Sequence, residues 1–568
     1  MSESLELRLQ PDRRRYTLPH FLADVTSRHG DRCAIRFLDR ELGVDRELSY
    51  RELEREARRL ARALVAAGVV KGARVAVLMA NRPEWVVAAF GVSLAGGVLI
   101  PVNTFAKPAE RDYILRHSDA SLLLVQRSLL KHDFLADLQR DHVELASAAP
   151  GRLLCPALPQ LRRVVALGLE AREGAVQGWQ ELLAQGDSVP DSMLDAIAQE
   201  ITPADDGLVI YTSGTTAHPK GVLHLQRAPV IQSWRFAEGM ELSPEDVVYT
   251  AQPFFWSAGI AMSLGAALAA GACLLLEASF EPGAALACIE ANRATAIFAW
   301  PHQDKAMAEH PSAQSRDLSC ARKVEFDSPL AARVGLEKDE WGTHGSYGMS
   351  ETFTIASFLP VGAPAELRNA TSGRPLPGMQ MRVVDPESGA ALPQGEKGEI
   401  AVRGVTFMRG YYKVEPELYL DDEGYFRTQD GGSFDAEGYL HWSGRLSNLI
   451  KTGGANVSPV EIETALRSYP GLKAGLAVGV PHPALGEVVV LCAVPVPGAE
   501  PDEAAIRGFL RERLAAYKVP KRVLVFAEEE LQYTGTQKIQ VGPLREAALA
   551  RLEREGAEVE GFRYRRGA

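Results

Sequence analysis

The residues best equipped for chemistry lie together in one loop, Tyr211-Thr212-Ser213-Gly214-Thr215-Thr216-Ala217-His218-Pro219-Lys220-Gly221. It follows a short apolar run and gathers hydroxyls, small residues and a single lysine. Such a loop suits phosphate oxygens. Glycine lets backbone N–H groups approach an anion, hydroxyls add donors, and the lysine supplies a point charge. Pro219 stands where a Walker loop needs glycine before its lysine, so this is not a Walker loop, and by itself a polar Gly/Thr-rich loop also reads as a plain surface turn.

The segments that follow keep an order that carries more information than any one of them. Tyr347-Gly348-Met349-Ser350-Glu351-Thr352 comes next, then Gly398-Glu399-Ile400 with Gly404 and Gly410-Tyr411. After these come Asp430 in Tyr425-Phe426-Arg427-Thr428-Gln429-Asp430, the run Gly444-Arg445-Leu446-Ser447-Asn448-Leu449-Ile450-Lys451, and Thr536-Gln537-Lys538-Ile539. Together with the loop at 211–221 they resemble the ordered motifs of the adenylate-forming superfamily, in its branch of acyl-CoA synthetases (carboxylic acid:CoA ligases). The resemblance spans roughly residues 20 to 545.

The resemblance implies a two-step reaction. A carboxylate attacks the α-phosphate of ATP, expels pyrophosphate and becomes an acyl-adenylate; coenzyme A then displaces AMP. By the same resemblance, Thr212, Ser213, Gly214, Thr215, Thr216 and Lys220 would hold the β- and γ-phosphates, and Glu351 would hold Mg²⁺, a hard ion suited to oxygen ligands. Tyr347 and Ser350 would meet the adenine side, Asp430 the ribose hydroxyls, and Arg445 the ribose or phosphate edge. Lys538 would clamp the forming bond electrostatically. Ser447 falls at the hinge of a mobile C-terminal domain. Lys451 with Gly453 and Gly454 would serve thioester formation, the glycines admitting the pantetheine arm.

Several positions depart from the family pattern. Ala217 replaces a glycine of the phosphate loop, Gln537 the glycine before the lysine, and Ser447 the usual aspartate or lysine. The acid pocket is expected among Phe255, Trp256 and Trp300, with Asp327 beside Phe326 reshaping a wall that is often Gly-Gly-Ala. No aspartate stands ready to anchor an α-amino group, so an amino-acid substrate is not expected. Three alternatives keep the adenylation motifs but change the outcome: an acyl-AMP ligase that loads an acyl carrier protein, a luciferase-like oxygenase, and a nucleotide-binding homologue without turnover.

These residues need a scaffold, and the sequence predicts an α/β one with mainly parallel sheets flanked by helices. Ser49 and Glu52 form a capping box ahead of apolar residues at helical spacing. The runs at Arg74 to Met79 and Val98 to Val102, with Pro83 opening a helix between them, read as a β-α-β unit. Asp137 to Pro159 reads as an irregular surface connection. Ala258 to Leu276 is uncharged but rich in Ala and Gly, and reads as a buried helix stopped at Gly271 and followed by a strand, not a membrane span. Residues 1–446 are expected to form the large domain and 447–568 a small, mobile α+β domain.

Composition limits the remaining choices. A chain of 568 residues exceeds one ordinary core, and a net charge of −11 disfavours nucleic acid as partner. Six scattered cysteines without a Cys-x-x-Cys pair suggest neither a disulfide framework nor a thiolate zinc site, and a cytoplasmic setting is expected. The partner implied is a small carboxylic acid; a homo-oligomer stays open.

Overall fold

The computed structural model describes residues 16–212, 218–325, 328–337, 345–446, 450–457, 459–466, 469–496, 498–532 and 539–565. The large domain is built on two sheets with helices between them. One sheet has eight strands in the order Gly410–Tyr411, Lys220–Leu225, Asp206–Thr212, Val98–Pro101, Arg74–Leu78, Leu122–Gln126, Arg163–Leu167 and Val176–Gly178. From Asp206–Thr212 to Val176–Gly178 its strands are parallel, while the first two pair antiparallel. The other has five strands, four of them parallel: Ala296–Phe298, Val247–Thr250, Cys273–Glu277 and Cys33–Asp39.

One core joins the two sheets. Ile35 and Leu274 from the five-stranded sheet and Val75, Leu99 and Ile210 from the eight-stranded sheet share it with Leu53, Leu60, Val86 and Phe90 of the intervening helices. This placement explains why the helix Pro83–Leu94 is apolar on nearly every side. The expected β-α-β unit is present as parallel strands Arg74–Leu78 and Val98–Pro101 flanking that helix. The expected capping box is also formed, with Ser49 N–H donating to Glu52 Oε2 at 2.9 Å and Glu52 N–H to Ser49 Oγ at 3.2 Å.

At Ala258 to Leu276 the chain forms a π-helical turn, Gly259–Gly265, then the helix Ala266–Ala270, then the strand Cys273–Glu277. Gly271 ends the helix in the left-handed region at φ 78°, against the His29 ring. Among the described residues no helix is long and apolar enough to cross a membrane. The reading of 137–159 needs correction. Residues 134–141 and 144–147 are helical, and Leu145, Leu153, Cys155 and Leu158 are buried in a second core with Val164 and Val176. Their spacing in the sequence follows neither the helical nor the strand period.

A four-stranded antiparallel sheet, Met379–Val384, Gly398–Gly404, Phe426–Phe434 and Leu440–Arg445, closes the large domain. The small domain is built on a five-stranded sheet covered on both faces, with a short hairpin, Glu558–Val559 and Phe562–Arg563, near its end. Pro459–Leu466 and Glu503–Arg511 pack through Ile462, Leu466, Ile506 and Leu510, while Val541–Glu555 packs through Leu544 and Leu552 on the other side. After the hinge motif a strand, Ile450–Thr452, pairs with Ala455–Val457 through the Gly453-Gly454 turn. Ser447 lies outside the described residues.

Two substitutions grade the local determinants of this fold. Ser49→Ala removes one cap and should cost about 1 kcal/mol, whereas Gly271→Ala forces a Cβ into a left-handed position against His29 and should cost about 1–3 kcal/mol. Thermal unfolding of the two variants should therefore show the larger fall in midpoint for Gly271→Ala; equal midpoints would contradict the assignment of strain to Gly271.

Candidate active site

The candidate phosphate loop joins the two strands of a β-hairpin. Thr212 ends one strand, Lys220 begins the next, and the two are paired across the ladder. Ser213, Gly214, Thr215, Thr216 and Ala217 lie outside the described residues. Lys220 directs its ammonium over the Tyr411 ring, 4.7 Å from the centroid. The hydroxyl of Tyr411 donates to Glu351 Oε1 at 2.5 Å. Tyr411 thus stands between the lysine of one motif and the carboxylate of another, and its own strand pairs with the one that Lys220 begins.

The Glu351 turn is held from several directions. Met408 N–H donates to the Glu351 carbonyl at 2.7 Å, and Gln232 Nε2 donates to the carbonyls of Thr352 and Ile355 at 3.0 and 2.6 Å. His224 Nε2 lies 2.7 Å from the Ser350 carbonyl. Burial pushes the His224 pKa down to about 4, so near neutral pH the ring is uncharged and Nε2–H is the donor. Gly348 has no room for a side chain, since a Cβ would run into the Thr354 carbonyl.

The antiparallel sheet brings Asp430 and Arg445 opposite each other in register. Asp430 is 3% exposed and accepts from the Tyr347 hydroxyl at 2.9 Å. Tyr347 is therefore tied to the ribose candidate through its hydroxyl, in addition to any contact its ring face makes. Among the described residues no group of three His, Cys, Asp or Glu side chains could hold a metal. A single carboxylate, Glu351, suits Mg²⁺ that keeps water and phosphate oxygens as its other ligands.

Two cavities meet at this site. The larger, about 540 Å³, runs between the domains and is lined by Phe105, Phe255, Trp256, Trp300, Gly453 and Tyr517. The smaller, about 250 Å³, is lined by Thr212, Ser350 and Gly454. Trp256, Trp300, Ala455 and Tyr517 border both. Trp256 meets Trp300 edge to face at 5.8 Å and Tyr517 at 6.4 Å. The Trp300 indole N–H is buried with no hydrogen-bond partner among the described residues.

The small domain reaches this wall through its glycine turn. Gly453 and Gly454 have φ of 57° and 80°, and a Cβ on Gly454 would come within 2.7 Å of the Trp300 ring. Close approach, as much as the turn, requires glycine there. Lys451 donates its backbone N–H to Glu487 Oε2 at 2.9 Å and lays its ammonium 4.0 Å from the Trp442 ring centroid. Lys538 and Asp327 lie outside the described residues.

The structure thus brings Phe255, Trp256 and Trp300 to one cavity, Thr212 and Ser350 to the other, and Gly453-Gly454 to the wall between them. Sequence reading did not single out His224, Tyr517 or Lys518. A histidine in an apolar strand and a Tyr-Lys pair before Val519-Pro520 carry no local pattern that reports their burial.

Known proteins bear on this arrangement. The AMP-binding enzyme family model matches residues 22–412, and the model of the AMP-binding enzyme C-terminal domain matches residues 461–538. The chain is 33% identical over 505 residues to a feruloyl-CoA synthase from Amycolatopsis sp, covering 88% of this chain and 93% of that one. It is 32% identical over 522 residues to an indoleacetate–CoA ligase from Aromatoleum aromaticum, covering 90% and 94%. Among solved structures it resembles the amide bond synthetase McbA from Marinactinospora thermotolerans, with a TM-score of 0.72 and 27% identity over 93% of this chain and 99% of that one. With both domain models matched in order and these likenesses running nearly end to end, the chain belongs to the AMP-binding enzyme family, within its adenylate-forming superfamily.

Proposed function

We propose that the protein is an ATP-dependent carboxylic acid:CoA ligase whose acid carries a bulky ring. The observation that carries this reading is the meeting of two cavities at one aromatic wall, with phosphate-loop and Glu351-turn residues on one side and the small domain's glycine turn on the other. An enzyme that activates a carboxylate and then hands it to a thiol needs two approaches to one carbonyl carbon. The similarity to relatives named for CoA thioester formation supports the thiol as acceptor. Feruloyl and indoleacetyl groups both carry aromatic rings, and Phe255, Trp256 and Trp300 offer aromatic faces to such a substrate.

In this reading the division between domains falls at residues 446/447. Thr212 and Lys220, with Ser213, Gly214, Thr215 and Thr216, bind the β- and γ-phosphates. Glu351, held by Tyr411, would supply a carboxylate oxygen to Mg²⁺, which when bound would neutralise phosphate charge. Asp430 accepts from the ribose hydroxyls and Arg445 donates beside it; Tyr347 fixes the Asp430 carboxylate by its 2.9 Å bond. The acid's oxygen attacks the α-phosphorus, the bond to the β-phosphate breaks and pyrophosphate leaves, and the Lys538 ammonium balances the charge that builds on the transferring group. Coenzyme A then enters past Gly453-Gly454, its sulfur attacks the acyl carbon and AMP leaves. The unpartnered indole N–H of Trp300 is a donor for a carbonyl held at the wall.

Incubation with Mg-ATP, CoA and a panel of ring-bearing acids should yield AMP and the matching CoA thioester, read by mass spectrometry. Adenylate without thioester, consumed instead by an amine or by a carrier protein, would replace CoA as the acceptor. No AMP with any acid would overturn the ligase reading altogether.

The two lysines should separate the steps. Lys538→Ala should slow acid-dependent ATP–pyrophosphate exchange by about 100-fold or more, while Lys451→Ala should chiefly slow thioester formation from supplied acyl-adenylate. Equal loss of both steps in each variant would dissolve that division. Trp256→Ala should shift preference among acids of different ring size by about 10-fold or more, and an unchanged acid profile would remove Trp256 from the pocket.

A further inference from the structure

We propose that Lys518 is an ionic latch: its ammonium joins Glu461 of its own small domain to Glu110 of the large domain and so holds the Gly453-Gly454 turn against Trp300. Lys518 ends the short 3₁₀ turn Ala516–Lys518. Its Nζ lies 2.8 Å from Glu461 Oε1 and 3.3 Å from Glu110 Oε1. Its side chain is 1% exposed, and those of Glu110 and Glu461 are 12% and 11% exposed. An ion pair so enclosed is little screened by salt, and parting it leaves an uncompensated buried charge.

The composition of the cluster points to docking and not to stability of the small domain alone. Lys518 and Glu461 would already balance each other within that domain. Glu110 adds a second carboxylate from the first turn of the large-domain helix Pro108–His117. Burial acts to lower the Lys518 pKa, but Tyr517, Glu110 and Glu461 outweigh it and raise it above its ordinary value, so the ammonium persists. The neighbouring Tyr517 crosses the same boundary, meeting Trp256 edge to face. Lys518 therefore acts as a positioning residue: it borders the smaller cavity beside Gly454 and sets the domain arrangement in which the glycine turn meets the aromatic wall.

The effect on rates rests on the two-step reading above, so the test includes a measurement that does not. Hydrogen–deuterium exchange of the full chain, read over peptides covering 103–110 and 452–455, reports docking directly. Glu110→Gln should raise exchange there on the order of tenfold, within the range of ordinary coupling between sites, with the cores of both domains unchanged. Glu110→Lys, which sets two ammonium groups together, should raise it further. In the same variants thioester formation from supplied acyl-adenylate should fall about in proportion, while ATP–pyrophosphate exchange should not fall. Unchanged exchange at both peptides in both variants overturns the latch, as does increased exchange spread through the cores. Wild-type protein that forms no thioester at all would sink the ligase reading and leave the exchange contrast to decide the latch.

Discussion

The phenol of Tyr411 stands between a cation and a carboxylate, the Lys220 ammonium and the Glu351 side chain, and ties both to one sheet edge. Its ring face receives the Lys220 ammonium and its hydroxyl holds Glu351. A phenol does both because its π-face is electron-rich and its O–H is a donor. The geometry depends on the sheet: Gly410–Tyr411 pairs with Lys220–Leu225, which pairs with Asp206–Thr212. The hairpin, the Glu351 turn and the edge strand are thereby fixed as one unit. His224 and Gln232 extend that unit inward, since their donors occupy the carbonyls of the Glu351 turn.

How legible this was in the sequence depended on the range over which each feature is determined. The Ser49–Glu52 capping box and the Gly271 helix stop are decided within a few residues, and both were readable. The ordered motifs were readable too, because each keeps its own short pattern even where its partners are distant. The buried path of 137–159 was not, since Leu145, Leu153 and Leu158 are apolar without a period. The register that sets Asp430 opposite Arg445 was equally hidden, as it depends on an irregular ladder between Gly431 and Gly432.

Lys518 shows the limit most sharply. A lysine in a Tyr-Lys-Val-Pro segment reads as solvent-exposed, because lysine is seldom fully buried unless paired. Its partners lie 57 and 408 residues away in the chain. No window on the sequence contains both. The pairing exists only once the small domain has folded and docked, which is why a residue invisible to local reading carries information about how the domains are arranged.

The aromatic wall joins these threads. Trp256 and Trp300 come from the large domain, Ala455 and Tyr517 from the small one, and all four border both cavities. A wall shared in this way is complete only while the domains are docked. If the two cavities belonged to a single domain, their connection would be fixed by its core and could not depend on what is bound. Because half of the wall belongs to the small domain, which ionic contacts join to the large one, the opening between the two cavities follows domain position. Interfaces between domains that are joined through a few buried polar links permit relative motion. The charge pair then sets how strongly one arrangement is favoured, and the aromatic residues decide what that arrangement encloses.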